Sequence, residues 1–205
     1  MPVDYASAQI EYGGTPSTVT LLELAKQLAG VIGSSEDELW TLYCQFAGEA
    51  AESYCDNKLV SQSVVQNIIG LPHPILLRHN PATSFESIIV DGLDVTSDYV
   101  LYTEDGLQWL KKDPAWDVFV TTPTQTVITF TSGFDPLPAE VGYAIARAAT
   151  EYQRDDPSAA APIKKESVVG VGSLEYDTKN YLVGEFGVLT KESTTILDKY
   201  KRHNV

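Results

Sequence analysis

The stretch that most constrains this chain runs from Val127 to Asp156, VITFTSGFDPLPAEVGYAIARAATEYQRDD. Val127, Ile128, Thr129, Phe130 and Thr131 suit a pleated surface, and Ser132-Gly133 signals a turn directly after them. Asp135-Pro136-Leu137-Pro138 then leads into a run of helical period, in which Val141, Ile145, Ala148, Ala149 and Tyr152 recur at steps of three and four. Glu140, Arg147, Glu151 and Arg154 fall mostly outside that stripe. Pro138 marks the first turn of a helix, where its missing amide donor has no partner to lose. Leu137, just before a proline, is pushed toward an extended conformation. A strand, a glycine turn and a helix are therefore expected in immediate succession.

On the N-terminal side, residues 1–16 hold Gly13-Gly14 and scattered polar residues without a period. They read as an arm that orders only against a partner or the domain surface. Thr20-Leu21-Leu22-Glu23 matches a capping box, so a first helix begins near Thr20, with Leu21, Leu24, Ala25, Leu28 and Ile32 as its apolar stripe. Gly30 and Gly33 are candidates for closing it. A second box, Ser35-Glu36-Asp37-Glu38, starts a helix expected to end near Cys55, with Leu39, Tyr43, Phe46, Ala47, Ala50 and Tyr54 facing the core. The short connection makes the two helices an antiparallel hairpin.

Between about Leu59 and Phe134 the helical period fades. Ser84 to Val90 runs into Asp91-Gly92, a strong hairpin dipeptide, and Tyr99 to Tyr102 meets Glu104-Asp105-Gly106 before returning as Leu107 to Leu110. Val118-Phe119-Val120 supplies a further strand. After Asp156, Pro157 to Pro162 reads as a linker. The tail beyond it is too thinly apolar for a core of its own, and Ser193 is the expected cap of its short final helix. The fold class is α+β: a small helical bundle, made of the helical hairpin and the third helix, with an inserted antiparallel β region and an extended C-terminal arm. The organisation is an N-terminal arm (1–16), a helical core (17–156) with the β insertion at about 59–134, and a partner-binding arm (157–205).

Charge narrows the functions. The chain carries 14 Lys and Arg against 28 Asp and Glu, a net charge of -14 at pH 7. Only three of the basic residues, Lys26, Lys58 and Arg78, precede Lys111. No basic cluster exists to neutralise a row of phosphates, so the chain is a poor binder of a DNA backbone. Solubility is the ordinary explanation of the excess acid. No apolar run reaches signal-peptide or membrane-span length, so synthesis in the cytosol and no membrane partner are expected. Cys44 and Cys55 sit about 16 Å apart along one helix, too far to bridge, and read as buried apolar thiols.

Chemistry is hard to find. His73, His79 and His203 have no partners at metal-ligand spacing, and there is no HExxH, paired CxxC, GxSxG or GxxxxGK. Gly170-Val171-Gly172 lacks the third glycine and the strand-to-helix setting of a nucleotide loop. Glu104 with Asp105, and Asp155 with Asp156, are turn-forming or solvated acids rather than an acid/base couple. Trp109 and Trp116, near Lys111 and Lys112, are the residues a carbohydrate- or receptor-binding module would use. The ordinary alternative is packing on a β surface or at a subunit contact. No catalytic, cofactor or metal residue is assigned, and a non-enzymatic protein is expected.

Two N-terminal helices, a β insertion, Phe130-Thr131-Ser132-Gly133-Phe134 followed by Leu137-Pro138 and a helix to Tyr152, then a C-terminal segment, together resemble the head-to-tail connector (adaptor, head completion) family of tailed bacteriophages. Ile196-Leu197-Asp198-Lys199-Tyr200-Lys201-Arg202 is similar to that family's terminal apolar pair followed by Tyr and a basic residue. Ser167 to Tyr176 looks like the segment that often follows its third helix. The resemblance implies a virion protein of the neck, assembled in the host cytoplasm. It would form a ring, commonly of twelve subunits, under the portal protein, with a tail or neck protein below and DNA passing through the channel without specific binding. It also implies that Ile196, Leu197, Tyr200, Lys201 and Arg202 contact the portal. The alternative for that segment is a short helix folded back on its own domain. Deletion of residues 193–205 is expected to leave a folded chain. An acidic lumen would let DNA slide without sticking.

Overall fold

The computed structural model describes residues 3–12, 15–70, 74–104, 107–112, 125–155, 165–168, 172–175 and 189–202. The chain divides into two compact units. One, mostly helical, takes in Met1–Cys55 and Pro136–Lys201, and the other, β-rich, takes in Asp56–Asp135 with Arg202–Val205. The described residues form a mixed α and β structure with four α-helices and several largely antiparallel sheets.

The helical unit begins with strands β1 (Gln9–Tyr12) and β2 (Thr15–Thr20), which pair antiparallel. Helices α1 (Leu21–Ala29) and α2 (Asp37–Cys55) follow. Thr20 caps α1 through the predicted box: its amide donates to Glu23 Oε2 at 2.9 Å and its hydroxyl accepts from the Glu23 amide at 3.3 Å. Gly30, at φ 72°, closes the helix in the left-handed conformation that costs glycine least. Lys26 ties the connection to the next helix, donating to the Gly33 carbonyl and to Asp37.

Two expectations for these helices need correcting. Leu28 and Ile32 are exposed, Ile32 almost wholly, so the stripe of α1 that reaches the core is Leu21 and Ala25. In α2 the buried face is Trp40, Tyr43, Cys44, Ala47, Ala51 and Cys55, while Leu39 and Phe46 face outward. Apolar residues lie on several sides of α2, so the 3.6-residue period admits more than one phase, and the bulk of Trp40 selects the one observed.

The segment read as an arm is built into this unit. Ile10 is fully buried and Tyr5 nearly so. Strand β1 pairs in parallel with the two-residue strand β10 (Leu137–Pro138), Ile10 opposite Leu137. Pro138 therefore lies just ahead of the helix rather than inside its first turn, and Leu137 is extended as a residue before proline should be.

Helix α3 (Ala139–Asp155) is covered on nearly every side, with Val141, Gly142, Ala144, Ile145, Ala146, Ala148 and Ala149 all buried. Tyr152 stacks on Tyr43 with ring centroids 6.4 Å apart and meets Phe46 at 5.7 Å. Glu151, expected outside the stripe, is buried as well, with Arg147 at 3.9 Å. A hairpin of β11 (Lys165–Val168) and β12 (Gly172–Glu175) and the short helix α4 (Lys191–Leu197) complete the unit. Gly172 thus opens a strand, not a phosphate loop. The linker at 157–162 and the residues 178–188 lie outside the described residues.

The β-rich unit holds two sheets. In one the order is β3 (Gln62–Ile69), β9 (Gln125–Ser132), β5 (Ala82–Val90) and β6 (Leu93–Asp94), all antiparallel neighbours. In the other it is β4 (Ile75–Leu76), β8 (Leu107–Lys112) and β7 (Tyr99–Glu104). Ile75, Leu77, Ile88, Tyr99, Leu110, Ile128 and Phe130 form their shared core. Asp91 and Gly92, at φ 50° and 83°, make the two-residue turn expected between β5 and β6. The turn at 105–106 and the strand expected at 118–120 lie outside the described residues.

The predicted Ser132-Gly133 turn closes β9. Gly133 has φ 107°, and a Cβ there would lie 2.4 Å from the Val60 carbonyl oxygen. Its amide donates to the Pro81 carbonyl at 3.0 Å, and Phe134 bridges in parallel to Val60. The crowding atoms are backbone of Val60 and Ser61, so no side chain can be accommodated by a rotamer change.

Gly133→Ala should therefore lower unfolding stability by roughly 2–4 kcal/mol. Gly30→Ala, where the added Cβ meets open space, should cost only about 1–2 kcal/mol, the left-handed strain alone. Urea melts of the two variants would decide this, and equal losses would contradict it. Cys44 and Cys55 are buried and free, and burial pushes both thiols up to about 12 from an ordinary 9.0. A raised acid contributes stability below its unfolded value and loses it above. Stability should thus decline above about pH 9, and both thiols should resist alkylation at pH 8 until the chain unfolds.

Candidate functional site

The C-terminal segment carries the residues singled out for partner contact, and its local chemistry explains where it sits. Helix α4 has seven residues, too few to be stable alone, so tertiary contacts must hold it. Thr190, not Ser193, is its cap: the Thr190 hydroxyl accepts from the Ser193 amide at 3.1 Å. The Ser193 hydroxyl is spent elsewhere, donating to the Ala144 carbonyl of α3 at 3.1 Å in a buried site. Leu197 is fully buried, and Cys55 Sγ lies 3.6 Å from its carbonyl oxygen. Ile196 beside it is half-buried.

Beyond Leu197 the hold changes character. Asp198–Tyr200 forms a single 3-10 turn whose contacts are polar. Tyr54 donates to Asp198 Oδ1 at 2.7 Å, Lys201 Nζ lies 3.0 Å from the same oxygen, and the same ammonium stands 3.8 Å above the Tyr54 ring. Tyr200 donates to Glu140 Oε1 at 2.6 Å, and Lys199 to Glu140 Oε2 at 2.9 Å. In the β-rich unit, Arg202 Nη1 pairs with Asp56 Oδ2 at 3.2 Å, and Arg78 approaches the other oxygen at 3.5 Å.

Of the five residues named from the sequence, Leu197 thus fills a core, Tyr200 and Lys201 clamp the turn, Arg202 is ion-paired, and Ile196 keeps part of its side chain in solvent. The residues that sequence reading missed are their acceptors, Glu140, Asp198 and Asp56, with Tyr54. Asp198 stands inside the quoted motif, three residues before its partner Lys201, but nothing local marks the others: Tyr54 lies 144 residues from Asp198.

The electrostatics favour this clamp at neutral pH. Hydrogen bonds from Tyr200 and then Lys199 hold Glu140 below the usual carboxylate range, and bonds from Tyr54 and then Lys201 do the same for Asp198. Burial and the Glu140 bond push Tyr200 up, and bonds to Tyr54 and Asp198 push Lys201 up. Depressed carboxylates contribute above their unfolded values and fail as pH falls through the folded ones. Raised Tyr and Lys groups contribute below about 10 and fail as pH rises. The segment is clamped throughout the neutral range.

The other sequence candidates do not assemble into chemistry. His79 is half-buried, and burial, with Lys58 and Arg78 nearby, lowers it to about 4, so it is neutral at pH 7. His73, His203 and Trp116 lie outside the described residues. Trp109 is half-buried on β8 opposite Tyr102. Among the described residues no three of His, Cys, Asp and Glu are grouped to hold a metal ion, and no helix is long and apolar enough to cross a membrane.

No protein-family model matches this chain, and no curated protein does. Solved structures do. The fold is similar to that of a chain in the neck of an empty gene transfer agent particle with C6 symmetry, at a TM-score of 0.62 and 15% identity over 90% of each chain. It is similar to a chain of the native gene transfer agent virion, at 0.59 and 17% over 91% of each. A chain of the native particle's neck with C12 symmetry gives 0.58 and 16%, over 92% of this chain and 94% of that one. At these identities the likeness is one of fold, and it runs nearly end to end in both partners.

Proposed function

We propose that this chain is a structural, non-enzymatic component of the neck of a phage-like particle. The observation that carries the reading is the end-to-end likeness of fold to neck chains, at 90% of both chains or more. The order of elements, with the Gly133 turn leading through Leu137-Pro138 into α3, supports the finer reading of a head-to-tail adaptor built around a small helical bundle. In that reading the chain forms a ring of twelve subunits under the portal, extends the DNA channel and offers a surface to tail or neck proteins. The net charge of -14 suits a channel past which DNA slides without binding. The protein belongs in the virion, at the portal-tail junction, after assembly in the host cytoplasm.

The segment Ile196, Leu197, Tyr200, Lys201 and Arg202 is our proposal for the portal contact, with a division of labour that follows from its packing. Leu197 anchors the segment, since a buried leucine is worth about 1.5–3 kcal/mol. The contacts of Lys201 and Arg202 are ion pairs open to solvent, each worth only about 0–1 kcal/mol, and that of the half-buried Tyr200 is a single hydrogen bond worth about 1 kcal/mol. Those three can be exchanged from Glu140, Asp198 and Asp56 onto a partner at small cost, while Ile196 adds apolar area at the edge.

The packing also moves the point at which the tail can be cut. Removal of residues 193–205 would take away Ser193 and Leu197 and open the core, so it should destabilise the chain, as Leu197→Ala alone should by about 2–5 kcal/mol. Removal of residues 198–205 should leave a melting curve close to that of the full chain and abolish capture by purified portal rings. Portal capture that survives this truncation would refute the docking role. Images of intact particles with the protein anywhere but the portal-tail junction would refute the adaptor reading itself.

A further inference from the structure

Strand β3 is an eight-residue edge strand, QSVVQNII, with no charge and no proline. It pairs with β9 along its whole length on one side, and among the described residues no strand pairs with its other side. Such edges template pairing with another chain, and proteins normally blunt them with charge, proline or brevity. The opposite edge of the same sheet is blunted in this way, since β6 has two residues and is flanked by Asp91 and includes Asp94. On β3 the outward side chains are Ser63, Val65, Asn67 and Ile69, with Val65 58% and Ile69 88% exposed. Their cross-strand neighbours on β9, Thr131, Thr129, Val127 and Gln125, add no ionisable group.

Among the described residues the same unit has a second unpaired edge. Strand β7 ends the three-stranded sheet, with Val100 60% and Tyr102 42% exposed, and Lys111 of β8 stands 3.7 Å above the Tyr102 ring. We infer that the β3 edge of one copy of this chain pairs with the β7 edge of the next. The inference rests on the ring reading above and supplies its contact. Copies that each carry a net charge of -14 repel, so they can meet closely only where surface is uncharged or locally basic. The β3 edge is uncharged, and along the β7-β8 stretch Lys111 and Lys112 offset Glu104 and Asp105, so this stretch adds no net acid in a chain with only three basic residues before it. Two different edges on one subunit are what head-to-tail, ring-forming association requires. A two-fold contact would use one surface twice. Ladder hydrogen bonds supply the affinity, and the Val65, Ile69, Val100 and Tyr102 side chains set which face is covered.

The test is the assembly state of the full-length chain over a concentration series in an analytical ultracentrifuge, with a melting curve for each variant. The wild-type chain should associate. Val65→Lys with Ile69→Lys should weaken association at least about 100-fold at an unchanged melting temperature, whereas Leu93→Lys on the blunted edge should not. A Val65→Cys/Tyr102→Cys chain should oxidise to a ladder of covalent oligomers that neither single variant produces. Wild-type association by the double-lysine variant would overturn the edge contact and leave the ring reading standing. Disulfide-linked dimers from Val65→Cys alone would overturn it in favour of a two-fold β3 pair. A wild-type chain that stays monomeric throughout, with no ladder from the double-cysteine chain, would overturn the edge contact, while the ring reading is decided separately by images of intact particles.

Discussion

The close approach made possible by the small residues of α3 is the interaction on which the helical unit depends. Gly142 lets Ile10 come so near that a Cβ at that position would lie 3.0 Å from Ile10 Cδ1. Ala144 leaves its carbonyl open to the Ser193 hydroxyl, and Ala146, Ala148 and Ala149 are wholly buried without bulk of their own. Apart from Val141 and Ile145 of α3 itself, the large side chains come from the surrounding elements: Trp40 and Tyr43 from α2, Leu21 from α1, Ile10 from β1 and Leu197 from α4. A second glycine, Gly48 of α2, does the same for Tyr5, whose ring stands where its Cβ would be. The small residues of α3 let large ones around it approach closely, and a larger residue in their place would push against its neighbours.

That arrangement makes the C-terminal segment both attached and available. Its apolar anchor is set into the unit, and its polar end is held by contacts that water or a partner can replace at little cost. For the adaptor role proposed above this combination would matter, because a tail with no anchor loses entropy on docking and a tail wholly buried has nothing to offer. The hold is strongest in the neutral range, where Glu140 and Asp198 are ionised and Tyr200 and Lys201 are protonated. In the proposed role, docking would have to compete with the clamp by geometry and not by a change of charge state.

How much of this could be read from the sequence depends on the range of the contact. Thr20 with Glu23, Asp91 with Gly92, and Ser132 with Gly133 were all predictable, because capping boxes and turns are settled within four residues. The phase of α2 was not, since Leu39, Trp40, Tyr43 and Phe46 are all apolar and only the partners in space decide which are covered. Pairing of β1 with β10 joins Ile10 to Leu137, and no local pattern announces a strand whose partner is more than a hundred residues away. The same holds for the site. The apolar pair Ile196-Leu197 and the basic Lys201-Arg202 stood out in sequence, but their acceptors Glu140, Asp198 and Asp56 looked like any other acids in a chain with 28. Glu151 shows the reverse error, an acid placed outside the stripe that the fold buries beside Arg147.

A fold shared with neck chains at 15–17% identity is intelligible from the same physics. What α3 demands is small volume, and what its neighbours demand is large apolar volume in the right phase. Many residues satisfy each requirement, so packing can persist while identities drift. Surfaces are under no such rule, and function must be sought in them. In this chain the surface is unevenly dressed: acid over most of the first half, a polar clamp at Glu140 and Asp198, an uncharged strand edge at β3 and a charge-balanced one at β7. An acidic body keeps copies and DNA apart, so any lasting contact falls to the places where that charge is absent or answered by Lys and Arg. In the readings proposed above those places are the β-strand edges and the end of the chain, which differ enough in chemistry to suit two different neighbours.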